Sequence, residues 1–460
     1  MFQIDRSTMC DTGEGVQWWT HAPSLHRFVA DLLSAELGLA RPGRPPRATP
    51  WPLDLEFVRD LGADSLELHG MATALVDALD LRVAGVDERL LARPCLEDWL
   101  DAARTGLAMD AVRLNFRTSG SSGSPKRCTH SLATMWQEVR ELARLTPGRR
   151  RILTAVPSHH IYGFLFTILL PRALGIDDVV DLRTASPAVA LGQARAGDLI
   201  VAYPVWWEAL VRLDPRFEPD VVGVSSGAPC PDALAARLDA VGLRLLEMYG
   251  SSEIAGVGWR DRAGSAFTLL AYWRRDQAAG EQKPDQAPER EAQHERAQQQ
   301  DYAANHALVR SLPDGGEARY PLQDTLAWQD ERQFLPAGRI DQAVQVGGTN
   351  VFPAYVADVL KLHPRVLDAT VRMMRPDEGR RLKAFVVPRP APGPATLPGG
   401  ADEGGEFFTP AAEHAALGEE LAVWAAARLS APERPAAFTF GVRLPRQASG
   451  KPADWIIDAA

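Results

Sequence analysis

The sequence predicts an α/β protein: a doubly wound parallel sheet, preceded by an all-helical segment and followed by a small α+β unit. From Val112 onward, short apolar runs that end in Pro, Gly or Ser alternate with helical stretches, the pattern of parallel strands joined by crossover helices. Residues 21–106 repeat apolar side chains only at helical spacing. From Gln342 to the end, strand-like and helical runs mix within a short span.

The elements follow in order. Residues 1–20 show no periodicity and read as a loose leader. LHRFVADLLSAELGL, Leu25 to Leu39, is a helix, and the loop ARPGRPPRATP breaks it. FVRDLGADSLELHGMATALVDALDL then places a Gly-Ala-Asp-Ser turn before a second amphipathic helix that Asp64 or Ser65 caps, and a short helix follows at Leu96 to Ala103. The runs RILTAVP, DLIVAYP, DVVGVSSG and LRLLEMYG are strands, with VWWEALVRL and PDALAARLDAVG as helices between them. Ligands in such sheets bind at the carboxyl ends of the strands, where SSGAP and YGSSE supply small polar residues. Residues 275–306 are polar and rich in Gln, Glu and Ala, and read as a flexible insertion or an exposed helix. The last unit reads strand (AVQVGG), helix (VFPAYVADVLKLH), strands (ATVRMM, RLKAFVVP), a Pro/Gly-rich loop and a helix (LGEELAVWAAARL). The division is therefore leader 1–20, helical segment 21–106, sheet core 107–341 and terminal unit 342–460.

Composition excludes several classes. With 46% hydrophobic and 24% charged residues the chain is no disordered polymer. A formal charge of -9, from 59 acidic and 50 basic side chains, argues against nucleic acid as a partner. The longest apolar stretch, Ile161 to Pro171, is too short to span a bilayer. The start of the chain has no secretory pattern, and four scattered cysteines form no CxxC pair, so the expected compartment is the cytoplasm.

The strongest chemical signal is Thr118-Ser119-Gly120-Ser121-Ser122-Gly123-Ser124-Pro125-Lys126. Glycines let the backbone turn so that successive N–H groups converge on an anion, hydroxyls add donors, and Lys126 adds positive charge. Pro125 before Lys126 excludes the Walker loop. A flexible serine-glycine linker is the competing reading.

This loop resembles the phosphate-binding segment of the AMP-forming acyl- and aryl-acid adenylating enzymes, a superfamily of acyl-CoA synthetases, peptide-synthetase adenylation domains and luciferases. Further matches follow in family order over residues 112–460. They are His159-His160-Ile161-Tyr162-Gly163, Ser226-Gly227-Ala228-Pro229, Tyr249-Gly250-Ser251-Ser252-Glu253, Tyr320 to Asp324, Gly338-Arg339-Ile340-Asp341, VQVGGTNVFPAYV and LPRQASGK. The resemblance implies ATP-dependent activation of a small carboxylic acid to an acyl-adenylate, with pyrophosphate release and transfer to a thiol. The acceptor is CoA or the phosphopantetheine of a carrier protein, which would then be a separate partner. Lys451 would bridge the carboxylate and α-phosphate, Glu253 would bind Mg²⁺, and Ser252 keeps the hydroxyl of the usual threonine. Gly227, Ala228 and Pro229 would lie against adenine, with Tyr249 stacked on it beside Gly250 and Ser251. Asp324 would hold the ribose hydroxyls and Arg339 the ribose or a phosphate, although Leu322 and Gln323 depart from the family pattern. His160 and Gly348 would line the acyl pocket or thiol tunnel, and Asp341 would be the hinge of a mobile C-terminal domain. A core tyrosine, a surface ion pair and a structural histidine are the plainer readings of Tyr249, Arg339 and His160. Trp206, Trp207 and Trp259 point to an aromatic or compact pocket, with core packing the plainer account of each.

The N-terminal side departs from the family, which places a larger α/β subdomain ahead of the phosphate loop. DLGADSLELHGMATAL is instead similar to the phosphopantetheine attachment motif of acyl carrier proteins, with Ser65 at the modified position. Helix capping by Asp64-Ser65 is the alternative. A non-catalytic nucleotide- or carrier-binding protein on a degenerate adenylation fold is the competing reading of the whole chain.

Overall fold

The computed structural model describes residues 17–41, 44, 47–81, 86–118, 126–276, 307–339, 343–347, 349–375, 377–389, 408–409, 414–445 and 455. The chain forms two compact units, the larger built from residues 1–40, 46–118 and 127–340, the smaller chiefly from 341–460. The boundary between Ile340 and Asp341 falls beside the expected hinge.

The larger unit begins with helices: α1 (Ala22–Ala40), α2 (Phe57–Leu61), α3 (Ser65–Ala78), α4 (Val86–Ala92) and α5 (Leu96–Met109). Strands β1 (Arg113–Thr118) and β2 (Lys126–Ser131) form a ribbon, and the Ser131 hydroxyl caps α6 (Leu132–Leu145). Strands β3 (Arg151–Thr154), β4 (Val179–Asp181), β5 (Asp198–Ala202), β6 (Val222–Ser225) and β7 (Arg244–Ser251) pair in parallel. Helices α7 (Ile161–Phe164) and α8 (Leu170–Leu174), joined by a π-turn at Leu165–Leu169, lie between β3 and β4. The connections that follow carry α9 (Pro187–Gln193), α10 (Pro204–Val211) and α11 (Asp232–Ala240).

Beyond β7 the sheet turns antiparallel through β8 (Ala255–Arg260) and β9 (Phe267–Leu269). Strands β10 (Trp273–Arg275), β11 (Ala307–Ser311) and β12 (Glu317–Pro321) form a separate sheet, and β13 (Asp324–Trp328) and β14 (Gln333–Arg339) complete the large one. Its order is β13-β14-β9-β8-β7-β6-β5-β3-β4. The sequence runs foretold the parallel half. The antiparallel extension is the addition, made of strands whose apolar content is too short or too broken to read.

Alternation of side chains gives each strand two buried faces. Ile152, Leu199, Val201, Val224 and Leu246 share one core with α1, α3, α5 and α6. Leu153, Ile200, Ala202 and Leu245 face a second core with Trp207, Leu210, Leu234 and Leu238. Trp207 is thus a packing residue that donates its indole N–H to the Val224 carbonyl at 3.2 Å.

Two expectations are corrected here. Trp18 and Trp19 are buried in the core and do not belong to a loose leader; Trp18 meets Phe28 and Phe164 edge-on, at 5.7 and 5.1 Å. A short aromatic pair carries no periodicity, which hid this. Nor does the packing break at 106–107, because the helical segment and the sheet share one continuous core. Residues 1–16 lie outside the described residues, as do 277–306 of the expected insertion.

The smaller unit has a hairpin of β15 (Val344–Val346) and β16 (Thr349–Val351), then α12 (Pro353–Lys361), β17 (Val366–Met373), β18 (Leu382–Pro388), β19 (Phe408–Thr409), α13 (Ala415–Ala426) and β20 (Ala437–Gly441). Its sheet runs β17-β18-β20-β19, and Val356, Leu360, Leu417 and Leu421 of the helices pack on Val371, Ala384 and Val386. No helix among the described residues is long and apolar enough to cross a membrane.

Phe28→Ala removes a ring shared by α1 and α7. It should lower the stability of the larger unit by about 3–5 kcal/mol. In urea, helical and sheet signals of that unit should still be lost together; separate transitions would mean that the helical segment folds alone.

Candidate active site

The parallel strands end on one edge, and most of the described candidate residues collect at these ends. His160 caps the start of α7 just after β3, Tyr203 follows β5, Ser226 to Pro229 follow β6, and Tyr249 to Glu253 end β7. Ser226, Gly227, Ala228, Tyr249, Ser251, Ser252, Glu253 and Asp324 are all half-buried, the exposure expected of a cleft lining.

Local contacts fix this edge. Tyr162 Oη donates towards the carbonyls of Ala202 and Val224 at 3.1 and 3.2 Å, tying α7 to the ends of β5 and β6. Ser226 Oγ donates to the Met248 carbonyl at 2.9 Å, which joins the loop after β6 to β7. Gly227 adopts φ +81°, and a Cβ there would lie 2.9 Å from the Tyr203 ring, so only glycine fits. His130 of β2 bonds the Ser252 carbonyl at 2.7 Å and so supports the turn that carries Glu253.

On the antiparallel side, Tyr249 Oη donates to Asp324 Oδ2 at 2.5 Å. Its ring packs between Phe334 and Phe267, at 5.2 and 5.7 Å. Asp324 pairs directly with Arg339 across β13 and β14, so residues far apart in the motif order meet by register. Glu253 with Ser251 and Ser252 presents hard oxygen donors, a set that fits Mg²⁺ when phosphate oxygens complete the shell.

The His159 and His160 rings lie 4.2 Å apart, tilted by 44°, and dehydration by the surrounding protein lowers both pKa values, His159 the more strongly. His160 is nevertheless open to solvent, so this ring stands in a concavity. Burial raises the Tyr162 phenol well above its usual value and pushes Tyr203 up to about 12, so both remain protonated donors.

The smaller unit includes the candidate Lys451. Trp455, four residues beyond Lys451, is buried on Phe385, with ring centroids 5.6 Å apart. The Arg372 guanidinium lies 4.6 Å above its ring and donates to its carbonyl at 2.8 Å. Arg372, Lys383 and Arg375 all bind Glu378, and hydrogen bonds from Arg372 above all hold that carboxyl well below its usual pKa. Lys451 itself, Ser119 to Gly123, Gly348 and Asp341 lie outside the described residues, as do the side chains of Thr118 and Arg339; Lys126 is exposed. Ser65 is the exposed first residue of α3, where Asp64 and Glu67 form a complete capping box.

A parallel sheet with a polar cleft at its strand ends is the architecture expected from the motif resemblance to the adenylating enzymes. Comparison with known proteins agrees. A family described as "AMP-binding enzyme" matches residues 79–287. A 4-coumarate–CoA ligase of Cereibacter sphaeroides is 36% identical over 414 residues, covering 88% of this chain and 87% of the relative. A 4-coumarate–CoA ligase of Halorhodospira halophila is 34% identical and covers 94% of this chain and 98% of the relative, so the helical first hundred or so residues cannot lie wholly outside the match. An amide bond synthetase from Marinactinospora thermotolerans shares the fold, with a TM-score of 0.55 at 18% identity over 93% of this chain and 92% of that one.

The chain belongs to the AMP-binding enzyme family. It is an AMP-forming acid–thiol ligase: it uses ATP to activate a carboxylic acid as the acyl-adenylate and passes the acyl group to a thiol.

Sequence reasoning missed Asp31, Thr49, Ser158 and Arg183, which bond to one another behind His160. The available signal was an acidic residue on the apolar face of α1, three positions after Phe28.

The histidine shifts set a pH dependence of stability. A folded pKa below the unfolded value of 6.5 means that the unfolded chain binds protons first, so stability is full above 6.5 and is lost as the pH falls below it. Melting temperatures should therefore drop between pH 7.5 and 5.5, and His159→Asn should flatten part of that slope. An unchanged slope would show that His159 titrates normally.

Proposed function

We propose that the acid is a hydroxylated cinnamate-type arylpropenoate and that the acyl acceptor is coenzyme A. The observation that carries this reading is the 36% identity, over most of both chains, to a ligase named for 4-coumarate. The setting of Tyr162 and Tyr203, whose rings are 6.0 Å apart beside the ends of β5 and β6, supports an aromatic occupant.

In this reading a carboxylate oxygen of the acid attacks the α-phosphorus of ATP, and pyrophosphate leaves. Two anions approach, so donors must converge where charge develops. Lys451 bridges the carboxylate and the α-phosphate, while the Thr118–Lys126 loop cradles the phosphates. Asp324, held by Tyr249, accepts hydrogen bonds from the ribose hydroxyls, and Arg339 on the paired strand adds donors. Glu253 would hold Mg²⁺, which would neutralise phosphate charge. The CoA sulfur then attacks the acyl carbon, the thiol proton goes to solvent, and AMP leaves with its phosphate oxygen. Gly347, at φ +59°, leaves room for the pantetheine arm. Asp341 is the hinge between the two steps. Ser65 opens α3 behind the Asp64 cap, and the reading does not use it as the attachment point of an arm.

ATP–pyrophosphate exchange tests the reading over a panel of cinnamates, benzoates and fatty acids. Exchange should be fastest with 4-hydroxycinnamate, and CoA should convert the adenylate to the thioester. Lys451→Ala should slow exchange roughly a hundredfold or more. A preference for fatty acids or benzoates would overturn the substrate class. A further expectation concerns the nucleotide side: Tyr249→Phe should raise the KM for ATP about three- to tenfold, the loss of one hydrogen bond to a charged group, while the KM for the acid stays constant.

A further inference from the structure

We infer that Asp31, a carboxylate of the N-terminal helix α1, is a positioning residue for the acid-binding wall of the cleft. The inference rests on the reading that the His160–Tyr162 segment faces the acid.

Asp31 is the hub of a buried cluster, with its side chain 1% exposed. Its Oδ2 accepts from the Ser158 backbone N–H at 2.8 Å and from Ser158 Oγ at 2.7 Å. Its Oδ1 accepts from Thr49 Oγ1 at 2.9 Å and from Arg183 Nη2 at 2.7 Å. Arg183 is also bound by Asp181 at the end of β4 and by Thr49. One carboxylate thus joins α1, the loop before α2, the end of β3 and the end of β4.

Ser158 begins the turn that presents His160 and Tyr162. That turn is tight: a Cβ on Gly163 would lie 1.9 Å from the Pro157 carbonyl oxygen. Tyr162 fastens its far end to the ends of β5 and β6, and Asp31 fastens its near end. From the same helix, Phe28 packs edge-on against Phe164 at 5.3 Å, and Arg27 donates to the Thr167 and Val179 carbonyls.

The chemistry requires a carboxylate. Four donors converge on Asp31, two at each oxygen. An asparagine would set its NH₂ either against the Ser158 N–H or against the Arg183 cation, so one side of the cluster must open. The helical segment therefore does more than cover the sheet; it sets one wall of the acid site.

The test uses the full-length enzyme and measures KM for 4-hydroxycinnamate and for ATP separately by pyrophosphate exchange. Asp31→Asn should raise the KM for the acid about tenfold or more and leave that for ATP within about twofold. Ser158→Ala, which removes only one hydroxyl, should shift the acid KM in the same direction but less. The double variant should be less than additive, because both act through one turn. Glu36→Gln, on the same helix but paired with Arg117, should change neither KM. An unchanged acid KM in folded Asp31→Asn, or an equal rise in both KM values, would overturn the inference while leaving the functional reading intact. Should Asp31→Asn not fold, Ser158→Ala decides by the same split. Wild-type enzyme that exchanges with no acid would overturn the functional reading and the inference with it.

Discussion

A parallel sheet is buried on both faces, and covering the second face is the constraint on which this molecule depends. Helices α10 and α11 come from the crossovers themselves and fill one side. The other side needs material from elsewhere, and the N-terminal helices supply much of it through Trp18, Leu25, Phe28, Leu33, Met71, Leu75 and Trp99. The result is one apolar interior that runs from the first described residues to Phe334. The cleft sits at the strand ends because only there does the covered sheet leave polar backbone and short side chains within reach of solvent.

That arrangement divides labour between rigid and open parts. Tyr162, Ser226 and His130 each tie one strand end to a neighbouring element, so the edge is cross-linked by hydrogen bonds before any substrate arrives. Such preorganisation suits a reaction that brings two anions together, because donors already in place need not reorganise as charge develops. The nucleotide side is set in the same way: Tyr249 and Asp324 come from distant segments and are joined directly. Within the smaller unit, Arg372 holds Trp455 both by its ring and by its carbonyl.

Much of this was legible in the sequence. The parallel strands announced themselves as apolar runs with small polar ends, and the motif order brought out Tyr249, Glu253 and Asp324 without any coordinates. Capping chemistry offered Asp64 or Ser65 as the cap of this helix, and the structure finds Asp64 in that place. The pairing of Asp324 with Arg339 was hidden, since register is a property of two strands and not of either alone. Trp18 and Trp19 were hidden too: a three-residue turn is shorter than any period that a pattern search can detect. The helical segment misled by its resemblance to a free-standing bundle, because an amphipathic helix shows that it has an apolar face but not which partner the face meets.

The shared interior also bears on how such a chain can change over evolutionary time. Recombination that exchanges whole modules succeeds where few contacts cross the junction. Here a crossover anywhere between residues 41 and 118 would separate helices from the sheet whose face they cover. The joint beside Ile340 cuts between two separate cores instead. Viable chimaeras with related ligases should therefore inherit the helices and the large sheet as one heritable block, and trade the terminal unit freely.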